Sequence, residues 1–165
     1  MAKTALIVVD VQNYFVNEHT AGIPGKVVDY IRSRKPETVF FTRFVNREGS
    51  NFVKSLGWRE CMSSPDIDLH SELADFADES NTFDKTSFSI FHSKALADRL
   101  KEAKVTNIQL CGIDTDACVL VSAFEAFDRG YDVEVLEELT GSHHGKGLYD
   151  SAMEIIRKNL RRNRV

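Results

Sequence analysis

Three residues in this sequence carry side chains able to do covalent or acid–base chemistry, and each stands just after a segment that reads as a strand. Asp10 follows the apolar run Thr4 to Val9, Lys85 ends the segment from Thr82, and Cys118 opens a helical stretch shortly after Cys111 and Gly112. Open parallel sheets bind ligands beyond the carboxyl ends of their strands. An acid, an amine and a thiol therefore fall at one end of one sheet. A thiol attacks as its thiolate, a carboxylate can take its proton, and an ammonium stabilises either anion. If Thr115 caps the helix, Cys118 lies in its first turn, where unpaired N–H groups and the positive dipole end favour a thiolate. Lowering a thiol from ~8.5 by about two units corresponds to roughly 2.7 kcal/mol and would make the thiolate dominant at neutral pH. Each residue alone also has a plainer reading: Asp10 as a turn acid, Lys85 as a surface lysine, Cys118 as an inert thiol on an apolar helix. Cys111, inside a strand pattern, reads as core, and Cys61 as a loop residue that packs incidentally.

The elements that must position these residues alternate. Thr4–Val9 and Glu37–Thr42 read as buried strands, continuous and rich in β-branched or aromatic residues. Gly25–Arg34 reads as a helix ended by Pro36. Thr82–Lys85 reads as a short strand, Ser93–Ala103 as a helix with Ser93 as its cap, and Thr106–Cys111 as a strand. Thr115–Arg129 is a strongly apolar helix that stops at Gly130. Tyr131–Leu136 is another strand and Leu148–Leu160 a last helix. Such alternation means βαβ units around a parallel sheet covered on both faces. The expected fold is α/β, three-layered, with a mostly parallel sheet of five or six strands. Phe44 to His70 is loop-like and longer than usual connections, a lid candidate. Within it Trp58, the sole tryptophan, is placed either to close over a substrate or simply to anchor the loop.

Length and composition narrow the class. The chain has 165 residues, 42% hydrophobic and 28% charged, which fits one globular domain over residues 1–165. No apolar run approaches the ~20 residues of a membrane span. The N-terminal apolar run ends at Asp10, too short for a signal peptide, so a cytoplasmic protein is expected. Its net charge of −4 gives no electrostatic footprint for nucleic acid. The exception is the basic group Arg157, Lys158, Arg161, Arg162 and Arg164, read as a solvated helix end or a docking patch for another subunit. Three cysteines without a CxxC argue against a disulfide framework and a zinc ribbon.

Three segments together resemble the isochorismatase-like cysteine hydrolases: Leu6 to Phe15 around Asp10 and Gln12, Lys85 to Phe91, and Gly112 to Val119 with Thr115 and Cys118 at their intervals. They occur in the family's order, over roughly residues 4 to 145. The resemblance implies a triad of Asp10, Lys85 and Cys118. The thiolate would attack a carbonyl, usually of an amide, and pass through an acyl-thioester that water cleaves. Asp10 would serve as general base and then general acid. Lys85 would stabilise both neighbours, and the backbone N–H groups of Asp114 and Cys118 would form the oxyanion hole. It further implies a cis peptide at Ile113–Asp114, no cofactor, and a homodimer or larger homo-oligomer. Phe15, Tyr14, Trp58 and Phe91 are the candidates for pocket walls.

Departures from the family sharpen these expectations. The nicotinamidase branch carries an Asp-x-His metal motif after the second strand, where this chain has Thr42 to Arg47. No metal is therefore expected, and the substrate expected is another small amide or ureide. The alternatives are a nicotinamidase-like enzyme with an altered metal site and a degenerate member that binds a small molecule or partner. Isochorismatases proper have a small residue in place of the cysteine, so Cys118 points to amides. Asp114 stands where the family more often has a small apolar residue, and its carboxylate would repel an oxyanion unless turned away. Arg43 reads as a surface residue or a partner for a substrate carboxylate. His143 and His144 resemble the loop position where family members often carry a histidine near the active-site end; the plainer reading is two exposed loop residues that point apart.

Overall fold

The computed structural model describes residues 2–160. Five strands form one sheet: β1 (Thr4–Val9), β2 (Val39–Phe44), β3 (Thr82–Lys85), β4 (Asn107–Ile113) and β5 (Asp132–Gly141). All are parallel, in the order β3-β2-β1-β4-β5. Five helices accompany them: α1 (Ile23–Arg34), α2 (Asn51–Leu56), α3 (Lys94–Glu102), α4 (Leu120–Asp128) and α5 (Lys146–Leu160). The expected α/β fold is present, with five strands among the described residues.

Side chains on a strand alternate between faces, and both faces here are apolar. Ala5, Ile7 and Val9 pack with Leu96, Leu100, Ala123 and Ala126 of α3 and α4. Leu6 and Val8 pack with Val27, Val28 and Ile31 of α1 and with the long loop after β2. β1 is therefore buried on both sides, as its unbroken apolar run requires.

The chain winds outward from β1 to β2 and β3 on one side, then returns to β4 and β5 on the other. The order reverses between β1 and β4, and a crevice opens beyond the strand ends there. Asp10 stands one residue past β1 and Cys118 five residues past β4, on the two sides of this switch point.

Several boundaries differ from the sequence reading: β2 sits two residues later than Glu37–Thr42, and α5 starts two residues before Leu148. β4 and β5 run longer, because Gly112 and Ile113 resume pairing with Thr140 and Gly141 after a register shift beyond Leu110. α1 starts two residues earlier, with Pro24 in its first turn, where the missing N–H costs no helical bond. The loop after β2 holds the short α2, capped by Ser50 through Val53 N–H and closed by Gly57 at φ 67°. Of the basic terminal residues, Arg161, Arg162 and Arg164 lie outside the described residues. Arg157 donates to Glu137 through Nε at 3.0 Å. No described helix is long and apolar enough to cross a membrane.

Gly112 sets the spacing of the two strands that flank the switch point. Its φ is +110°, and a Cβ there would lie 2.0 Å from the Val9 carbonyl oxygen. Gly112→Ala is expected to destabilise the fold by at least about 3 kcal/mol, since both backbone and packing oppose it. The urea unfolding midpoint measures this, and an unchanged midpoint would show that β1 and β4 can separate.

Candidate active site

The acid, amine and thiol meet. Lys85 Nζ donates to Asp10 Oδ2 at 2.6 Å, to the Ser87 carbonyl at 2.8 Å and to Cys118 Sγ at 3.5 Å. The side chains of Lys85 and Asp10 are fully buried. Lys85 reaches this point from edge strand β3 by passing over β2, where the Phe44 ring lies 5.3 Å from Nζ. The other carboxylate oxygen of Asp10 accepts from Thr42 Oγ1 at 2.7 Å. Asp10 has φ 48°, so the chain turns out of the sheet directly at the acid. The turn is held by Gln12, whose side chain accepts from Phe44 N–H at 2.6 Å and donates to the Phe44 carbonyl at 2.9 Å.

The charge balance of the three groups is set by burial as well as by position. Burial pushes the Cys118 thiol up, Lys85 pulls it down, and Asp10 and Asp114 push it up again, leaving it above the ordinary thiol range. The resting thiol therefore holds its proton. A helix start and one ammonium do not outweigh full burial beside two carboxylates. Burial also pulls Lys85 down, but Asp10 and Cys118 more than offset it, so the amine stays an ammonium.

Cys118 sits in one π-helical turn, Thr115–Val119, that precedes α4. Thr115 is not the cap: Asp114 heads the turn, and its carbonyl accepts from the N–H groups of Ala117 and Val119 at 3.2 and 3.0 Å. Thr115 Oγ1 instead meets Thr140 Oγ1 at 2.8 Å, and Thr140 donates to the Gly112 carbonyl. The Ile113–Asp114 peptide is cis. Asp114 heads this turn, and Cys118 is its fourth residue. The Asp114 side chain turns to the loop after β5. There Oδ1 accepts from His143 N–H at 2.7 Å and Oδ2 lies 2.6 Å from His143 Nδ1. His143 is therefore not an exposed loop residue. Its side chain is 15% exposed, and its ring lies tilted against that of His144, centroids 3.8 Å apart, rather than pointing away from it.

Aromatic rings form a wall from Lys85 to Asp114. Phe44 packs on Trp58 at 5.5 Å, Trp58 on Tyr14 at 5.7 Å, and Tyr14 on His143 at 6.1 Å. Phe15 backs the wall, 5.1 Å from Tyr14 and 5.4 Å from His143. Of the residues predicted from sequence, Phe15 and Trp58 thus join one cluster. Phe91 does not: its ring stacks on Tyr131 and lies beneath Arg129, at the far end of α4. Arg43 is engaged by Asp84 through two hydrogen bonds at 2.8 and 3.0 Å, and is not brought to the wall. Cys111 is buried in the core, and Cys61 is buried as well, its thiol pushed up to about 12 by that burial.

Comparison with known proteins identifies the family and the fold. The Isochorismatase domain profile matches residues 4–162. The chain belongs to the isochorismatase family. An uncharacterized isochorismatase family protein, PncA, of Bacillus subtilis strain 168 is 26% identical over 164 residues, covering 88% of this chain and 90% of that protein. Isochorismatase domain-containing protein 2 of Xenopus laevis is 35% identical over 66 residues, which cover 40% of this chain but only 32% of that relative. The crystal structure of a pyrazinamidase/nicotinamidase from Streptococcus mutans UA159 superposes with a TM-score of 0.82 at 25% identity, covering 96% of this chain and 97% of that one.

In the stretch after β2 of this isochorismatase-family chain the Asn46 side chain is occupied. Nδ2 donates to the carbonyls of Trp58 and Glu60, and Oδ1 accepts from Ser50 Oγ and Arg47 N–H. Among the described residues no group of three or more His, Cys, Asp or Glu side chains is placed to hold an ion. Sequence reasoning missed Thr42, Phe44 and Asn46. Their side chains are ordinary for a strand end and a loop, and only their contacts across the sheet give them a role. His143 had a signal, a loop histidine after a strand, but its partner Asp114 is 29 residues away.

Two outcomes are expected. Lys85→Met leaves a buried carboxylate without its cation and lowers stability by about 3–5 kcal/mol in urea unfolding, while Asp10→Asn combined with Lys85→Met recovers most of it. Alkylation of Cys118 by iodoacetamide, followed by mass spectrometry, is slow at neutral pH and still climbs past the ~8.5 midpoint of a free thiol. A plateau reached at neutral pH would show instead that the thiolate is the resting form.

Proposed function

We propose that this protein is a cysteine-dependent amidohydrolase, cleaving the C–N bond of a small amide or ureide through an acyl-thioester. The observation that carries the reading is the buried contact of Lys85 Nζ with both Asp10 and Cys118 Sγ at the switch point. In the first half-reaction Asp10 takes the thiol proton as Sγ bonds to the carbonyl carbon. Because the resting thiol is neutral, proton transfer and attack proceed together. The N–H groups of Asp114 and Cys118 receive the oxyanion. Asp114 keeps its own charge out of that hole by directing both carboxylate oxygens to His143. When the C–N bond breaks, Asp10 returns the proton to the leaving ammonia or amine. In the second half, Asp10 takes a proton from water as the water attacks the thioester. The C–S bond then breaks, and the proton passes to Sγ. Lys85 keeps its protons throughout, and its charge holds the anionic member of the pair in place.

A thiol at this position supports amide chemistry, and the similar Streptococcus mutans structure is named a pyrazinamidase/nicotinamidase. The engaged side chain of Asn46 favours a reaction that needs no metal at the loop after β2. The expected result is ammonia release from at least one member of a small-amide and ureide panel that includes nicotinamide, at a rate unchanged by chelator. Cys118→Ala and Asp10→Asn should each lower kcat by at least about a thousandfold. Tight binding of panel members without product would replace this reading with a ligand-binding member of the family, and a rate abolished by chelator would restore a metal site.

A further inference from the structure

The aromatic wall is apolar except at one end, and that end is His143. A substrate must be oriented by something other than its reacting amide, and the other cations near the crevice are already engaged. Lys85 has three acceptors for its three protons: Asp10, Ser87 and Cys118. Arg43 is held in a bidentate pair with Asp84 on the outer strands. The Tyr14 hydroxyl, which carries no charge, accepts from the indole N–H of Trp58 at 3.4 Å. His143 is different. Asp114 binds its backbone N–H and its Nδ1, and Asn17 Nδ2 donates to its carbonyl at 2.7 Å. The ring is thus held through Asp114 and its own backbone, edge-on to Phe15 and Tyr14, with no protein partner at Nε2 among the described residues.

We infer that His143 is a specificity-determining residue, whose Nε2–H takes a hydrogen-bond acceptor on the substrate outside the scissile amide, a carboxylate or a neutral carbonyl oxygen. The inference rests on the amidohydrolase reading for the word substrate, but its binding arm does not depend on turnover. Asp114 fixes the tautomer: with Nδ1–H donated to the carboxylate, Nε2 is a donor only when the ring carries both protons. The hydrogen bond from Asp114 raises the imidazole above its ordinary range, burial opposes this, and the charges of Asp114 and Asp116 add to the rise. The remaining titratable groups around the ring are Tyr14 from the segment after β1 and the tilted His144. His19 stands beyond Gly145, beside its Cα. The donor is therefore present below the raised imidazole value and is lost as pH climbs through it.

Two substitutions separate the functions of the ring. His143→Asn places an amide N–H where Nδ1 was and keeps Asp114 paired, but has nothing at the Nε2 position. His143→Gln places its amide nitrogen near the Nε2 position. The background is Cys118→Ala, which removes the nucleophile, and Trp58 fluorescence reports binding. Butyramide, acetoacetamide and succinamate are near-isosteric amides with no acceptor, a neutral acceptor and a carboxylate. At about pH 6, where the ring is protonated, at least one acceptor-bearing amide should bind about tenfold tighter than butyramide. His143→Asn should abolish the difference and His143→Gln retain part of it. The neutral and charged arms show which acceptor the site takes. Equal binding of all three, or a preference that survives His143→Asn, overturns the inference. Ammonia release from the same amides by the enzyme with Cys118 intact tests the hydrolase reading separately. Turnover without an acceptor preference defeats only the role of His143, and an acceptor preference without turnover defeats only the hydrolase.

Discussion

The buried ion pair between Asp10 and Lys85 is the constraint around which the rest of the site is arranged. Two opposite charges with fully buried side chains are tolerable only with close geometry and every remaining proton and lone pair engaged. The fold meets that demand with Thr42 on one carboxylate oxygen and with the Ser87 carbonyl and Cys118 on the ammonium. The pair ties the end of edge strand β3 to the end of central strand β1, across β2. The thiol is then placed beside a charge pair that already exists, and its proton stays on sulfur because burial, together with the nearby carboxylates, outweighs the single ammonium.

Much of this was legible in the residues. Unbroken apolar runs ending in Asp10 and near Gly112 announced buried parallel strands, and strand polarity alone put acid, amine and thiol at one end. The switch point follows from strand order, which periodicity does not encode. The state of the thiol was not legible, because position at a helix start is a local property, whereas burial beside Asp10 and Asp114 is a tertiary one. Phe91 was misplaced for a similar reason. Its spacing from Lys85 suggested proximity, but the short helical turn after Ser89 points the ring toward Tyr131 at the other end of α4.

Asp114 shows how an unfavourable residue can be accommodated. A carboxylate heading the turn that carries the nucleophile would oppose a developing oxyanion. Here both of its oxygens are directed to one histidine, and that histidine in turn becomes part of the wall. The acid at the head of the turn and the burial of a loop histidine are two sides of one arrangement.

Asn46 holds the long loop through the carbonyls of Trp58 and Glu60, while its own N–H donates to the carbonyl of Cys61. All three partners are main-chain groups, and none depends on which side chains those positions carry. The path of the loop is in this way uncoupled from its sequence. Residues 58–60 can be exchanged, and the aromatic wall remodelled, without moving the strand ends that hold the acid, the amine and the thiol. Chemistry and substrate choice can thus diverge independently on the same scaffold.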